Sequence, residues 1–261
     1  MANQVYTNQF LSNTVEDQFN SHLDLQQFCT VDNSLEGTAG MKRVINTYRA
    51  TDGTQILGIG QGNDKSIEVS YTPVEYDIKL AQNRFVWNDE HEMTDPMLVP
   101  VGMKHAGTDM FNYVNSDVYN AFDETAVIIE VPDLDFPAFV DASAALNIEN
   151  PEGVFKFAFV HPKDVAEIRK NMQQHLQYVE AFAKRGYVGT LADIHIYATN
   201  EAIEGEPIVA TRDAVTIFNK KGVEIERERD ANTRVNSVYS RKYYIVALTD
   251  ASKAVKLHVQ A

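Results

Sequence analysis

Two stretches of this sequence hold too few apolar residues to bury themselves. Residues 1–36 scatter single apolar residues (Phe10, Leu11, Val15, Phe19, Leu23, Leu25, Phe28) among polar ones, with no sustained amphipathic face. They read as an arm that finds its burial on a neighbour. From Met41 to Trp87 the pattern turns to alternation. Val44, Asn46 and Tyr48 share one face of an extended segment, and Ile67, Val69 and Tyr71 alternate with Ser66, Glu68 and Ser70. Between them lie two turn clusters, Thr51-Asp52-Gly53-Thr54 and Gly60-Gln61-Gly62-Asn63-Asp64. This is a long hairpin with glycine-rich bends, rather polar for its length, so it projects from the body. Ordering each residue costs about 1–2 kcal/mol, which an arm and a polar hairpin recover only where neighbouring subunits supply the burial.

The remainder reads as mixed helix and strand. Strands over residues 76–81 and 84–87 follow the hairpin, and Thr94-Asp95-Pro96 offers an N-cap with proline in the first turn. Met103, Ala106, Met110, Val114, Ala121 and Phe122 recur at helical spacing, predicting one helix over about 100–122. Its outer face is expected to be acidic, with Asp109, Asp117 and Asp123. Residues 126–131 read as a buried strand, and Asp135 caps a helix that stops near Asn147. A strand over 155–160 precedes His161-Pro162, which opens a helix with Val165, Ile168, Met172, Leu176, Val179 and Phe182 on one face and Gly186 at its stop. Short strands follow at 194–198 and 208–210. The last fifty residues read as five strands, over 214–218, 223–229, 235–239, 243–248 and 254–259, the second with one solvated face.

Charge excludes broad classes. Twenty-three Lys and Arg against 37 Asp and Glu give a net charge of −14, so the surface as a whole does not adhere to nucleic acid or to an anionic membrane. The excess is local. Residues 1–41 hold five acids and no base, and residues 87–152 hold fourteen acids against Lys104 alone. This middle segment is either a solvated acidic face or a surface that avoids polyanions or receives a basic partner. Cys29 stands alone, which rules out an intrachain disulfide framework or a cysteine-built metal site, and reads as a small buried hydrophobe. No secretion signal opens the sequence and no apolar run is long enough to span a bilayer, so a soluble, cytoplasmically made protein is expected.

Catalytic chemistry is not marked. Gly58-Ile59-Gly60-Gln61-Gly62 looks like a phosphate cradle, but such loops need a helix straight after the glycines, and here a strand is expected. Asp89-Glu90-His91-Glu92 lacks a second histidine at helical offset and is better read as a helix-start acidic cluster. The other histidines are scattered, and no G-x-S-x-G elbow is present. No catalytic, cofactor or metal residues are assigned.

The order of these parts resembles the HK97-fold major capsid proteins of tailed bacteriophages. Gly37-Thr38-Ala39-Gly40-Met41-Lys42 looks like the start of the extended E-loop, and Phe85-Val86-Trp87-Asn88-Asp89-Glu90 like its junction with the spine helix. Phe157-Ala158-Phe159-Val160-His161-Pro162-Lys163-Asp164, with its helix ending in Arg185-Gly186-Tyr187-Val188-Gly189, looks like the A-domain strand–helix unit. Residues 213–248, turning near Asp230-Ala231-Asn232-Thr233, look like the P-domain hairpin whose tip is the P-loop. The resemblance spans essentially the whole chain. It implies an α+β HK97-like fold with an N-terminal arm (1–36), an E-loop (37–88), a P-domain with spine helix (89–130), an A-domain (131–212), a P-domain hairpin (213–250) and a terminal strand (251–261).

The resemblance also implies a structural, non-enzymatic role without cofactors. Copies would meet as hexamers and pentamers of an icosahedral shell enclosing double-stranded DNA without sequence-specific binding, in the virion, after assembly in the bacterial cytoplasm. The sequence opens almost on the arm, without the scaffold-like N-terminal domain of some relatives, so a separate scaffolding protein is implied. A portal protein would be a further partner and a decoration protein a candidate one, and no membrane is involved. Covalent cross-linking through an E-loop lysine occurs in part of the family; Lys65 and Lys42 are the only nearby candidates, with nothing to favour either. The expected assembly contacts are Glu16, Asp17, Asp52, Gly53, Gly60, Gly62, Asp230 and Asn232, with Glu16, Asp17 and the acidic middle docking a basic scaffold element and later lining the DNA space. Encapsulin-type nanocompartments share the fold, and a small-molecule-binding α/β protein or enzyme is the alternative of another class.

Overall fold

In the computed structural model of the protein, residues 23–125, 127–148, 153–171 and 187–260 are described. The chain enters through a short 3-10 helix, Leu25–Phe28, capped by Asp24, whose carboxylate accepts from the Gln26 N–H at 3.0 Å. One turn suffices to bury both Leu25 and Phe28. Phe28 lies in a cluster of rings, 4.8 Å from Phe157, 5.3 Å from Phe159 and 4.6 Å from Tyr197. Strand β1 (Thr30–Asp32) then runs parallel to residues 216–218. Leu25, Phe28, Cys29 and Leu35 of the arm are therefore part of this chain's own core, contrary to the sequence expectation of burial on a neighbour. Two large apolar side chains three residues apart were enough.

Strands β2 (Lys42–Ala50) and β3 (Val69–Asp77) pair antiparallel, from Lys42↔Asp77 to Ala50↔Val69, as a separate two-stranded sheet. β3 is exposed along nearly its whole length, as a projecting hairpin requires. β4 (Lys79–Asn88) leads into helix α1 (Asp89–Thr94) and the 26-residue α2 (Leu98–Asp123). Asp95 does not cap α2 as expected; its carboxylate accepts from the Met97 N–H at 3.0 Å, one step before the helix. Pro100 is tolerated because it falls in the first turn, where backbone N–H groups lack helical partners anyway. Only the second half of α2 is buried, through Met110, Val114, Val118, Tyr119, Ala121 and Phe122.

A four-stranded sheet carries the order β1-β10-β11-β4, with β10 (Val215–Asp230) and β11 (Val235–Leu248) as a long antiparallel hairpin. The four short strands expected here are two continuous ones. Register shifts between Asn219 and Lys221 and between Lys221 and Glu224 interrupt the pattern without ending the strand. The second expected strand has no buried face, since Val223, Ile225, Glu226 and Glu228 are exposed and Glu224 is half-buried.

The six-stranded sheet has the order β5-β12-β9-β6-β8-β7, from β5 (Ile128–Val131), β6 (Lys156–Val160), β7 (Tyr187–Leu191), β8 (Ile194–Ala198), β9 (Ile208–Thr211) and β12 (Ala254–Val259). β6 is buried at every residue. β5 is not the buried strand expected; it forms one edge, paired only with β12, and Ile128 faces out. Helix α3 (Phe136–Ala145) is capped by Asp135 as expected, accepting from the Ala138 N–H at 3.1 Å. It ends before Asn147, which takes a positive φ of 46°. Helix α4 (Pro162–Asn171) buries Val165 and Ile168, and the rest of the expected stripe, from Met172 to the stop at Gly186, lies outside the described residues. The whole is α+β, with strand 79–88 joining the central sheet and strand 254–259 joining the six-stranded one.

Candidate assembly surfaces

The hairpin tip, residues 51–68, holds four of the expected contact residues. Gly53 is buried inside the tip: a Cβ there would sit 2.5 Å from Ile67 Cγ1 and 2.7 Å from the Ile67 nitrogen, and its carbonyl accepts from Asn63 Nδ2 at 3.1 Å. Gly53 thus shapes the tip from within, while its neighbour Asp52 is exposed. Gly60 takes a φ of +83°, the left-handed conformation that suits glycine, in a turn closed by the Gln61 N–H on the Gly58 carbonyl at 3.2 Å. No atom lies within 4 Å of a Cβ placed at Gly62. The glycine run is therefore a hairpin turn, followed by extended chain and β3 rather than a helix.

Among the exposed and mostly polar residues of this tip stand apolar ones that the sequence reading did not single out. Ile56 and Ile59 are 98% and 109% exposed, relative to a fully open side chain. A chain that leaves two isoleucines wholly in water forgoes roughly 1.5–3 kcal/mol for each. Their signal in the sequence was plain but negative: they lie in a turn segment, where apolar side chains have no fold-internal reason to be.

At the other tip, Asp230 closes the turn on itself, accepting from the Asn232 N–H at 2.9 Å and from Thr233 Oγ1 at 2.8 Å. These bonds hold its carboxyl below its ordinary range. Asn232 is exposed. Among the described residues no hydrogen bond or ion pair joins the two tips. Glu16 and Asp17 lie outside the described residues.

The charge is arranged differently from the sequence expectation. Of the three aspartates expected on the outer face of α2, only Asp109 is exposed. Asp117 turns inward between Lys79 Nζ at 2.9 Å and the Tyr244 hydroxyl at 2.6 Å, and Asp123 pairs with Lys256. Burial and this carboxylate push the Tyr244 hydroxyl well above the ordinary phenol range. Asp89 accepts from Arg229 at 2.7 Å and from Asn236 at 2.6 Å, and those bonds hold its carboxyl below the usual range. Glu90 meets Arg234 at 2.9 Å and Glu92 accepts from Trp87 Nε1 at 2.8 Å. The acidic cluster of α1 is thus a set of staples onto the β10–β11 hairpin and β4. Part of the acidic middle is answered by bases drawn from elsewhere in the chain.

Three further anchors escaped the sequence reading. Asn115 on α2 accepts from the Leu25 N–H at 3.3 Å and donates to the Leu23 carbonyl at 2.9 Å, seating the chain entry on the helix. Gly102 leaves room for the Phe85 ring, whose Cζ would lie 2.2 Å from a Cβ at that position. On the outward face of the central sheet, Tyr239 lies between two guanidinium groups, 5.4 Å from Arg84 and 5.8 Å from Arg241. Cys29 is buried as expected, and burial pushes its thiol up to about 12. Among the described residues no group of His, Cys, Asp and Glu is placed to hold a metal ion, and no helix is long and apolar enough to cross a membrane.

No family model matches the chain. The sequence is 24% identical over 266 residues to the major capsid protein of Staphylococcus phage phiMR11, covering 98% of this chain and 94% of that one. The fold superposes on the capsid of the cyanophage P-SCSP1u with a TM-score of 0.70, at 13% identity, over 89% of this chain and 86% of that one. This is an HK97-fold protein. A second HK97-fold neighbour is the SrpI encapsulin of Synechococcus elongatus, with a TM-score of 0.68 at 10% identity, over 90% of this chain and 88% of that one. Identity this low with so much of the chain aligned means that the fold is kept by burial pattern rather than by particular side chains.

Proposed function

We propose that this chain is a structural major capsid protein, whose copies assemble into an icosahedral shell around phage DNA. The observation that carries the reading is the β2–β3 hairpin, which projects polar strands and two fully exposed isoleucines that no other described residue covers. The near full-length likeness to a phage major capsid protein supports it. In this role the hairpin serves as the E-loop, α2 as the spine helix, the β10–β11 hairpin as the P-domain arm with residues 230–233 at its tip, and the six-stranded sheet as the core of the A-domain. Asp52, Asp230 and Asn232 stand as candidate contacts, Gly53 and Gly60 as residues that shape the E-loop tip, and Gly62 as an open position beside them. Hexamers and pentamers of the chain, a separate scaffolding protein, a portal and a decoration protein complete the assembly, in the host cytoplasm first and in the virion at the end. A scaffold element that is basic fits the base-free residues 1–41. The encapsulin reading, a shell around a protein cargo, is favoured by the SrpI likeness.

Electron microscopy of the purified protein, alone and with its scaffolding protein, tests the reading. Shells, tubes or capsomers are expected, and a species that stays monomeric under every condition overturns it. Ile56→Ser with Ile59→Ser is expected to abolish assembly while leaving the melting temperature of the unassembled chain within about 1 °C, since surface changes of this kind cost under roughly 0.5 kcal/mol. Packaged nucleic acid as against packaged protein separates the phage from the encapsulin reading.

A further inference from the structure

We propose that the free edge of β4, with the side of α2 next to it, binds an extended basic segment of a separate protein as an added strand. β11 pairs with β4 from Lys79 to Asn88 without a register shift, and no strand among the described residues pairs with the other side. Open edges are ordinarily blunted by lysine, proline, a bulge or shortness. Residues 80–83 carry none of these devices.

Beside them lies a cavity of about 230 Å³, lined by residues 80–83 and by Asp109, Met110 and Tyr113 of α2. Successive side chains of a strand point to opposite faces. A cavity bordered by four consecutive residues therefore meets the strand from its edge, where the backbone N–H and C=O groups lack a ladder partner. The cavity is framed by two contacts: Lys79 bonds Asp117 beyond one end of the run, and the Asn83 amide donates to the Ala106 carbonyl at the other. Four strand residues span about 13 Å, room for four residues of an incoming strand.

The lining states what kind of strand fits. Leu80 and Tyr113 are exposed at the rim and offer apolar contact. Asp109 is the single charged residue of the lining and is exposed, while Asp117 and Asp123 on the same helix are already paired. An alternating apolar and basic segment meets both features: its backbone completes the ladder, its apolar side chains cover Leu80 and Tyr113, and a cation reaches Asp109. In strand addition the main chain supplies affinity and the alternate side chains supply selectivity. The proposal is independent of shell formation, because the groove is complete within one chain.

The test is fluorescence anisotropy of a labelled seven-residue peptide of alternating Lys and Val against the purified full-length chain. Two control peptides accompany it, one with Glu in place of Lys and one with a central proline. Binding of the Lys/Val peptide alone is expected, weakened about tenfold by Asp109→Lys and lowered by Tyr113→Ser, both at exposed positions whose folding is checked by thermal melts. Equal binding of the proline peptide overturns strand addition, and equal binding of the Glu peptide or an unchanged affinity in Asp109→Lys overturns the basic preference. Failure of all three peptides, with self-association lost in Asp109→Lys, also overturns the proposal and assigns the groove to a second copy of this chain.

Discussion

Replacing Asp117 by alanine removes the group on which three elements converge. Its carboxylate receives the Tyr244 hydroxyl from β11 at 2.6 Å and Lys79 from the start of β4 at 2.9 Å, while the residue itself belongs to α2. Tyr244 is fully buried, so its hydroxyl, left without an acceptor, costs about 1–3 kcal/mol, and a hydrogen bond to a charged group is worth about 1.5–3 kcal/mol net. The two figures overlap. Lys79, more than half exposed, adds less than about 1 kcal/mol. Asp117→Ala is therefore expected to cost about 2–4 kcal/mol, and Asp117→Asn, which keeps an acceptor, about 1–2 kcal/mol. In a chain of this size that corresponds to roughly 5–10 °C for the alanine variant. Urea and thermal unfolding of the unassembled protein at one fixed concentration measure it, together with Tyr244→Phe and the double variant. A coupling of about 1–2 kcal/mol between the two positions is expected. A loss below about 0.5 kcal/mol for Asp117→Ala, or strict additivity with Tyr244→Phe, refutes the reasoning.

Gly102→Ala forces the Phe85 ring out of its place and is expected to lower stability by about 1–2 kcal/mol despite alanine's better helix propensity, with Phe85→Leu in the same chain restoring much of the loss in a thermal melt. Asp89 has a folded carboxyl held below its unfolded value, so its contribution is present above the unfolded pKa and disappears as pH falls through the depressed folded one. Asp89→Asn is expected to flatten the acid limb of the stability profile below about pH 4, and an unchanged limb counts against the staple. Tyr244 and Tyr119 are both raised, Tyr119 to about 12, so their contributions hold below about pH 10 and are lost as pH rises through the folded values; Tyr244→Phe should make alkaline unfolding less steep. Cys29 is expected to resist a thiol reagent in the native chain and to react once urea unfolds it, and rapid native labelling would contradict its burial.

Periodic elements were legible and relational ones were not. Alternation marked the projecting hairpin, because a strand pair held outside the core still keeps its pleat, and the 3.6-residue recurrence from Met103 to Phe122 marked α2. The capping by Asp135 could be read because it involves residues three apart. The β10–β11 hairpin was read as interrupted over residues 219–222 and 240–242; at the first of these, register shifts move the apolar phase without ending the strand. The arm was misjudged because Leu25 and Phe28 owe their burial to Phe157, Phe159 and Asn115, none of them near in sequence. The acidic middle looked more solvated than it is for the same reason, since the partners of Asp89, Glu90, Asp117 and Asp123 are Arg229, Arg234, Lys79 and Lys256. Among the candidate contacts, turn chemistry located the glycines, but no local signal separated Gly53, which packs inward, from Asp52, which faces out.

The central sheet draws its strands from residues 30–32, 79–88, 215–230 and 235–248. On a ribosome adding about 5–20 residues per second, β4 emerges roughly 10–30 s before the strand that pairs with it. During that interval Trp87 and the apolar half of α2 have no sheet to lie against. The central layer thus cannot close before residues 235–248 are made, however early its first strands are complete.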